Sequence, residues 1–112
     1  METRVGTDIV YIPEFRDKLA RSRWKFERDV FFEGELENDS PEHLAGIFAA
    51  KEAVMKTLDL APGSWKLVEI RKLESGKPEL IFHNNIKDKI KNCDVSISHA
   101  GEYAIAIVVC SY

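Results

Sequence analysis

The stretch from Ser40 to Gly63, "SPEHLAGIFAAKEAVMKTLDLAPG", limits the possible folds of this chain more than any other. Ser40 suits an N-cap, where its hydroxyl accepts a backbone N–H, and Pro41 suits the first helical position, whose amide needs no partner. Glu42 complements the positive end of the helix dipole. Leu44, Ile47, Phe48, Val54, Met55 and Leu58 recur at helical spacing, and Pro62 and Gly63 predict a stop near Leu60. Glu52 and Lys56 stand one turn apart, on a stripe that runs back through Ala49 and Ala45. Glu followed by Lys at that spacing is ordinarily a surface ion pair worth about 0.3–0.5 kcal/mol. The alanines beside them leave room for a ligand against the helix. The helix alone still favours the ion pair.

The rest of the chain reads mostly as strands. Residues 4–12, "RVGTDIVYI", are β-branched and aromatic. Residues 14–28 read as one or two short helices, with Phe15, Leu19, Trp24 and Phe26 turned inward. "DVFFEGELEN" reads as a turn or short helix. "WKLVEIRKLE" and "ELIFH" read as paired strands around the turn "SGKP", and "NNIKDKIKN" as a polar helical turn. "DVSISHAGEYAIAIVVCSY" reads as a hairpin turning at Ala100-Gly101, its second strand apolar on both faces and therefore central and buried. The sum is an α+β fold: one long helix packed on a mainly antiparallel sheet, in a single domain spanning 1–112.

Composition narrows the function classes. A chain of 112 residues with 45% hydrophobic and 31% charged residues is an ordinary globular one. A domain this small buries a modest share of its surface, so oligomerisation would help it. Its net charge of -3 argues against general nucleic-acid binding. Residues 14–28 depart from that balance: Arg16, Lys18, Arg21, Arg23, Lys25 and Arg28 outnumber Glu14, Asp17 and Glu27. Such a patch on an acidic protein suits an acidic partner, although a solvated helix face explains it as well. No signal pattern and no membrane-length apolar run occurs. Cys93 and Cys110 lack metal-type spacing and read as two core thiols in a reducing cytoplasm.

Four features carry chemistry. Asp8 lies within an apolar strand, where a carboxylate costs several kcal/mol unless a metal ion, an arginine or backbone N–H groups pair with it. Glu52 and Lys56 form the second feature. Ser98 and His99 close a strand at a turn, a common place for ligand contacts. Gly76, Lys77 and Pro78 form a turn whose lysine can bind phosphate, as any exposed lysine can. Each alone has an ordinary structural explanation.

Together they resemble the holo-acyl-carrier-protein synthases, the small trimeric class of phosphopantetheinyl transferases. "VGTDIV", "KFERDVFFEGELE", "FAAKEAVMKTL", "GKP" and "SISHAGEYAIAIVV" match in order along nearly the whole chain. The resemblance implies transfer of the 4'-phosphopantetheine arm of coenzyme A to a serine of an acidic acyl carrier protein, with release of adenosine 3',5'-bisphosphate. It implies Mg2+ held by Asp8 and Glu52, oxygen ligands of the kind this ion prefers. Lys56 would face the pyrophosphate, and Lys51 would contact phosphate or support the site from the side. It also implies a homotrimer in which one subunit supplies Asp8, Glu52 and Lys56. The neighbour would supply Gly76, Lys77, Pro78, Ser98 and His99 around the adenine and 3'-phosphate. The basic segment 14–28 would dock the carrier. Two departures stand out: Ile47 occupies a position where the family commonly has arginine, and Tyr11 and Glu14 replace a Glu-x-x-Arg pair. They bear on carrier docking and motivate the competing expectation, a module that binds coenzyme A or carrier without transfer. A third expectation is a different Mg2+-dependent phosphate-transfer or hydrolysis enzyme.

Overall fold

The computed structural model describes residues 2–111, so Met1 and Tyr112, the ends of the expected domain, lie outside it. Strand β1 (Thr3–Tyr11) leads directly into helix α1 (Ile12–Asp29). Pro13 follows the end of the strand and sits in the first turn of the helix, its missing N–H falling where a helix needs none. Ser22, at φ -138° and ψ 37°, kinks α1, so the expected one or two helices are two short pieces joined end to end. Phe15 and Leu19 are buried, but Trp24 is 61% exposed, contrary to its expected inward position. The kink after Arg21 shifts the helical phase that placed it inside.

Helix α2 (Pro41–Thr57) follows, with the Ser40 hydroxyl accepting the His43 N–H at 3.2 Å. It ends one turn before the expected Leu60, where Asp59 takes a left-handed φ of 53°. Strands β2 (Val68–Lys72) and β3 (Pro78–Phe82) form the expected hairpin, and β4 (Asn92–Ala100) and β5 (Tyr103–Ser111) a second one. Gly101, at φ +57°, supplies the left-handed residue of that second turn. Strand β5 pairs antiparallel with both β1 and β4, giving a three-stranded sheet in the order β1-β5-β4.

Helix α2 lies across one face of this sheet. Leu44, Ala45, Ala49, Ala50, Ala53 and Val54 are fully buried there, with Ala104, Ala106 and Val108 of β5. The alanines let the helix come close, and Gly6 of β1 completes the approach. A Cβ at Gly6 would collide with the Thr57 hydroxyl and the Ala53 carbonyl. This contact sets the spacing between β1 and α2, the two elements that carry Asp8, Glu52 and Lys56.

The opposite face of the sheet is bare. β5 is central, as expected, but only its α2-facing residues are buried. Ile105 and Ile107 are 45% and 46% exposed, and Val5 and Ile9 beside them on β1 are 63% and 61% exposed. Among the described residues, no element of the subunit covers them. A second expectation also fails. Cys93 and Cys110 are not separate thiols: the β4–β5 register sets them opposite each other, and they form a disulfide. A separation of 17 residues gives no hint of pairing in the sequence; the hairpin creates it. Disulfides are rare in reducing compartments, so the thiol argument for a cytoplasmic setting loses its basis. Among the described residues, no helix is long and apolar enough to cross a membrane.

Candidate active site

Strand β1 and helix α2 bring Asp8, Glu52 and Lys56 together. Asp8 projects from the face of β1 that meets α2, with its side chain 18% exposed. The Lys56 ammonium donates to Asp8 Oδ1 and to the Thr7 carbonyl, each at 3.0 Å. Lys56 thus pairs with the strand, 48 residues away in sequence, in place of the i,i+4 ion pair that the helix alone suggests. Glu52 lies near enough to Asp8 to feel its charge. Burial, and then the Asp8 carboxylate, push the Glu52 carboxyl above the ordinary range; Lys56 and the Trp65 indole oppose that shift.

Two carboxylates near one another, Glu52 raised by burial and by the Asp8 charge, with one half-exposed ammonium between strand and helix, make a site that lacks positive charge. Among the described residues, no three His, Cys, Asp or Glu side chains converge on one point. What the site would offer a cation is the carboxylate pair Asp8 and Glu52. That fits Mg2+, which is typically held by one or two carboxylates together with substrate phosphates and water, and does not require an all-protein cage.

Lys51, one residue before Glu52, is placed differently. Its side chain is 0% exposed. The ammonium donates to the Val30 carbonyl at 2.6 Å and to the Trp65 carbonyl at 3.4 Å, and it meets Glu35 Oε1 at 2.8 Å. Glu35 also accepts the N–H groups of Phe32 and Ile70, both at 2.7 Å. Of the two roles expected for Lys51, phosphate contact has no geometric basis in this subunit. Its ammonium is enclosed and engaged, and support from the side is what the packing gives.

The remaining expected residues sit apart from this cluster. Gly76, Pro78 and His99 line a groove of about 510 Å³ between the β2–β3 hairpin and the start of α2. The His99 ring lies over Gly46 and its Nε2 is 2.9 Å from the Glu42 carbonyl. Lys77 reaches Asp94 at 3.3 Å, and Ser98 projects from the bare face of the sheet. Among the groove residues that the sequence reading missed are His43, Arg71 and Lys72. Burial, and then Lys72 and His99, hold the His43 imidazole below its ordinary range. Arg71 and Lys72 adjoin the "SGKP" turn, but no spacing rule links them to a histidine at the start of α2. Ile47, at the position where arginine is common in the resembled family, forms part of the groove wall.

The matches to known proteins follow this architecture. Residues 4–108 match the model of the 4'-phosphopantetheinyl transferase superfamily. The chain belongs to that superfamily. Among phosphopantetheinyl transferases, a holo-acyl-carrier-protein synthase of Dehalococcoides mccartyi is 40% identical, over 93% of this chain and 94% of that protein. Its counterpart in Corynebacterium efficiens is 35% identical, over 96% of this chain and 93% of that protein. The crystal structure of Helicobacter pylori holo-acyl-carrier-protein synthase, in complex with coenzyme A, superposes with a TM-score of 0.88. It is 32% identical in sequence, over 96% of this chain and 99% of that one. The phosphopantetheinyl transferase fold thus accounts for the α+β architecture and for the pairing of β1 with α2.

Proposed function

We propose that this single domain transfers the 4'-phosphopantetheine arm of coenzyme A to a serine hydroxyl of an apo acyl carrier protein. The observation that carries the proposal is the convergence of Asp8, Glu52 and Lys56 from two elements onto one small region. The serine oxygen forms a bond to the pantetheine-side phosphorus of the pyrophosphate. The bond from that phosphorus to the bridging oxygen breaks, and adenosine 3',5'-bisphosphate leaves. Asp8 and Glu52 would hold Mg2+, which when bound supplies charge neutralisation at the pyrophosphate. Lys56 exchanges part of its contact with Asp8 for a pyrophosphate oxygen, placing fixed positive charge where negative charge develops. Glu52, already raised in proton affinity, or a water beside it, takes the serine proton.

The second cluster supports a site shared between subunits. The groove with His43, Arg71, Lys72, Gly76, Pro78 and His99 also holds Glu35, Glu37 and Glu69; its Arg71 and Lys72 would meet the adenosine 3'-phosphate end, with Lys77 and Ser98 at its margin. The bare face carrying Val5, Ile9, Ile105 and Ile107 supports a homotrimer, because contiguous apolar patches on soluble proteins mark interfaces. A solution mass equal to one subunit by light scattering would reject that assembly. Carrier docking falls to the part of segment 14–28 that is not already neutralised. Arg16, Lys18, Arg23 and Arg28 are ion-paired within the subunit, whereas Arg21 and Lys25 flank the exposed Trp24. A role in lipid synthesis in the cytoplasm accompanies this reading.

The test is incubation of the protein with coenzyme A, Mg2+ and a panel of apo carriers, read by intact-mass spectrometry. Carriers gain the mass of the arm, and Glu52→Gln lowers the rate roughly 10³-fold with an unchanged melting profile. Absence of any mass gain with well-folded protein overturns the transferase reading. Coenzyme A binding without release of adenosine 3',5'-bisphosphate would indicate a binding module in its place.

A further inference from the structure

Glu69 and Arg71 stand two residues apart on β2, so they share one face of the strand, and both line the groove. The pair is unequal: the Glu69 side chain is 13% exposed and that of Arg71 57%. Each Glu69 oxygen has its own partner. Oε1 lies 3.1 Å from His83 Nε2, and Oε2 accepts from Arg71 Nε at 3.4 Å. An ionised carboxylate can only accept, so the His83 proton towards it sits on Nε2. Although burial opposes it, the hydrogen bonds from Arg71 and His83 hold the Glu69 carboxyl below its ordinary range. The imidazole is itself fixed. Its ring stacks on Phe32 at 4.9 Å, and its backbone N–H donates to the Leu67 carbonyl at 2.9 Å. The Phe32 N–H is in turn held by Glu35 of the buried clamp.

Arg71 is therefore tethered to a steady group, and at Nε alone. Among the described residues, no other group bonds its guanidinium. The edge formed by its two Nη groups stays open, and that planar fork matches phosphate oxygens. Other polar groups of the groove are less available: His99 Nε2 already meets the Glu42 carbonyl at 2.9 Å, and Ile47 brings no charge. We propose that Glu69 is a positioning residue, which anchors Arg71 by Nε and leaves its Nη edge to read the 3'-phosphate of the adenosine end. Without the anchor, a side chain this exposed has to be ordered by the ligand itself, which weakens binding. The inference rests on the reading that this groove takes the adenosine 3'-phosphate end of coenzyme A.

The test compares adenosine 3',5'-bisphosphate with adenosine 5'-monophosphate by calorimetry on the whole protein, with Mg2+ present. The ratio of the two affinities reports the 3'-phosphate alone and is insensitive to a fraction of unfolded protein. Native protein should prefer the bisphosphate. Glu69→Ala should cut that preference about fivefold, with affinity for the monophosphate within about twofold. Arg71→Lys keeps the charge on an exposed side chain but lacks the anchored Nε, and should lose a similar factor. A preference that is unchanged or larger in Glu69→Ala overturns the proposal, because Glu69 then acts on the groove only as a competing negative charge. An unchanged preference in Arg71→Lys overturns it as well, since charge without the tethered fork would suffice. Native protein that does not prefer the bisphosphate rejects the groove reading, and the positioning role with it.

Discussion

Two lysines on α2, five residues apart, each meet a carboxylate, and the two pairs have opposite characters. Lys51 and Glu35 are both 0% exposed, whereas Lys56 and Asp8 are 59% and 18% exposed. The buried pair is saturated: Lys51 has three oxygen partners, and Glu35 takes two backbone N–H groups besides the lysine. Such a pair cannot exchange partners without exposing a charge to a low-dielectric interior. The Lys56 pair retains an open side. Its ammonium has two protein acceptors and room for a third, so a phosphate oxygen can enter without any buried group being abandoned. The same residue types on one helix thus make a structural clamp in one place and an exchangeable contact in the other. Burial decides which.

The largest effect that tests this contrast is on stability. Lys51→Met leaves the Glu35 carboxylate buried without its cation, and should lower the unfolding free energy by about 3–5 kcal/mol in urea denaturation. The two amides that still serve Glu35 place the expected value towards the lower end. Turnover per folded molecule should change much less. A loss below about 1 kcal/mol would mean that the pair is not the clamp described. Next in size, Lys56→Met should reduce kcat roughly 10²-fold, with a stability change under about 1 kcal/mol because the pair is half open to solvent. Lys56→Arg should recover part of the rate. If Lys56→Met unfolds the protein while Lys51→Met slows it, the roles assigned to the two pairs are reversed.

How far the sequence reveals this contrast depends on where each partner lies. Ser40, Pro41 and the apolar spacing after them define α2, and the Ala100-Gly101 turn defines the last hairpin, because those signals are local. Asp8 is conspicuous as an acid in an apolar strand. Its pairing with Lys56 is not, since it depends on Gly6 letting β1 approach α2. Nothing in "KEA" shows that Lys51 is enclosed by Val30, Glu35 and Trp65, which come from segments on both sides of the helix. Glu35 sits in a charged stretch, "FFEGELEN", with no pattern marking it as the buried acid. Trp24 looks apolar enough for the core, but the kink at Ser22 turns it outward. The disulfide and the groove residues His43, Arg71 and Lys72 are likewise products of tertiary register, invisible to periodicity.

The smallest effect is the most specific to burial. Burial pushes the Lys51 ammonium down from an ordinary value of 10.5 to about 8, with the Glu35 carboxylate opposing the shift. Between those two values, the unfolded chain holds a proton on Lys51 that the folded chain has released. Stability then rises with pH across the window, because raising the pH removes the proton that favours the unfolded state. Below about pH 8 both states hold the proton and the dependence disappears. The advantage of the native protein over Lys51→Met should therefore widen from about pH 8 towards pH 10, with a slope of at most about 1.4 kcal/mol per pH unit. Parallel urea titrations at pH 7, 8, 9 and 10 measure it, and groups titrating elsewhere cancel between the two proteins. A gap that stays constant would mean that Lys51 gives up its proton as a surface lysine does, and enclosure would no longer distinguish the two lysines of α2.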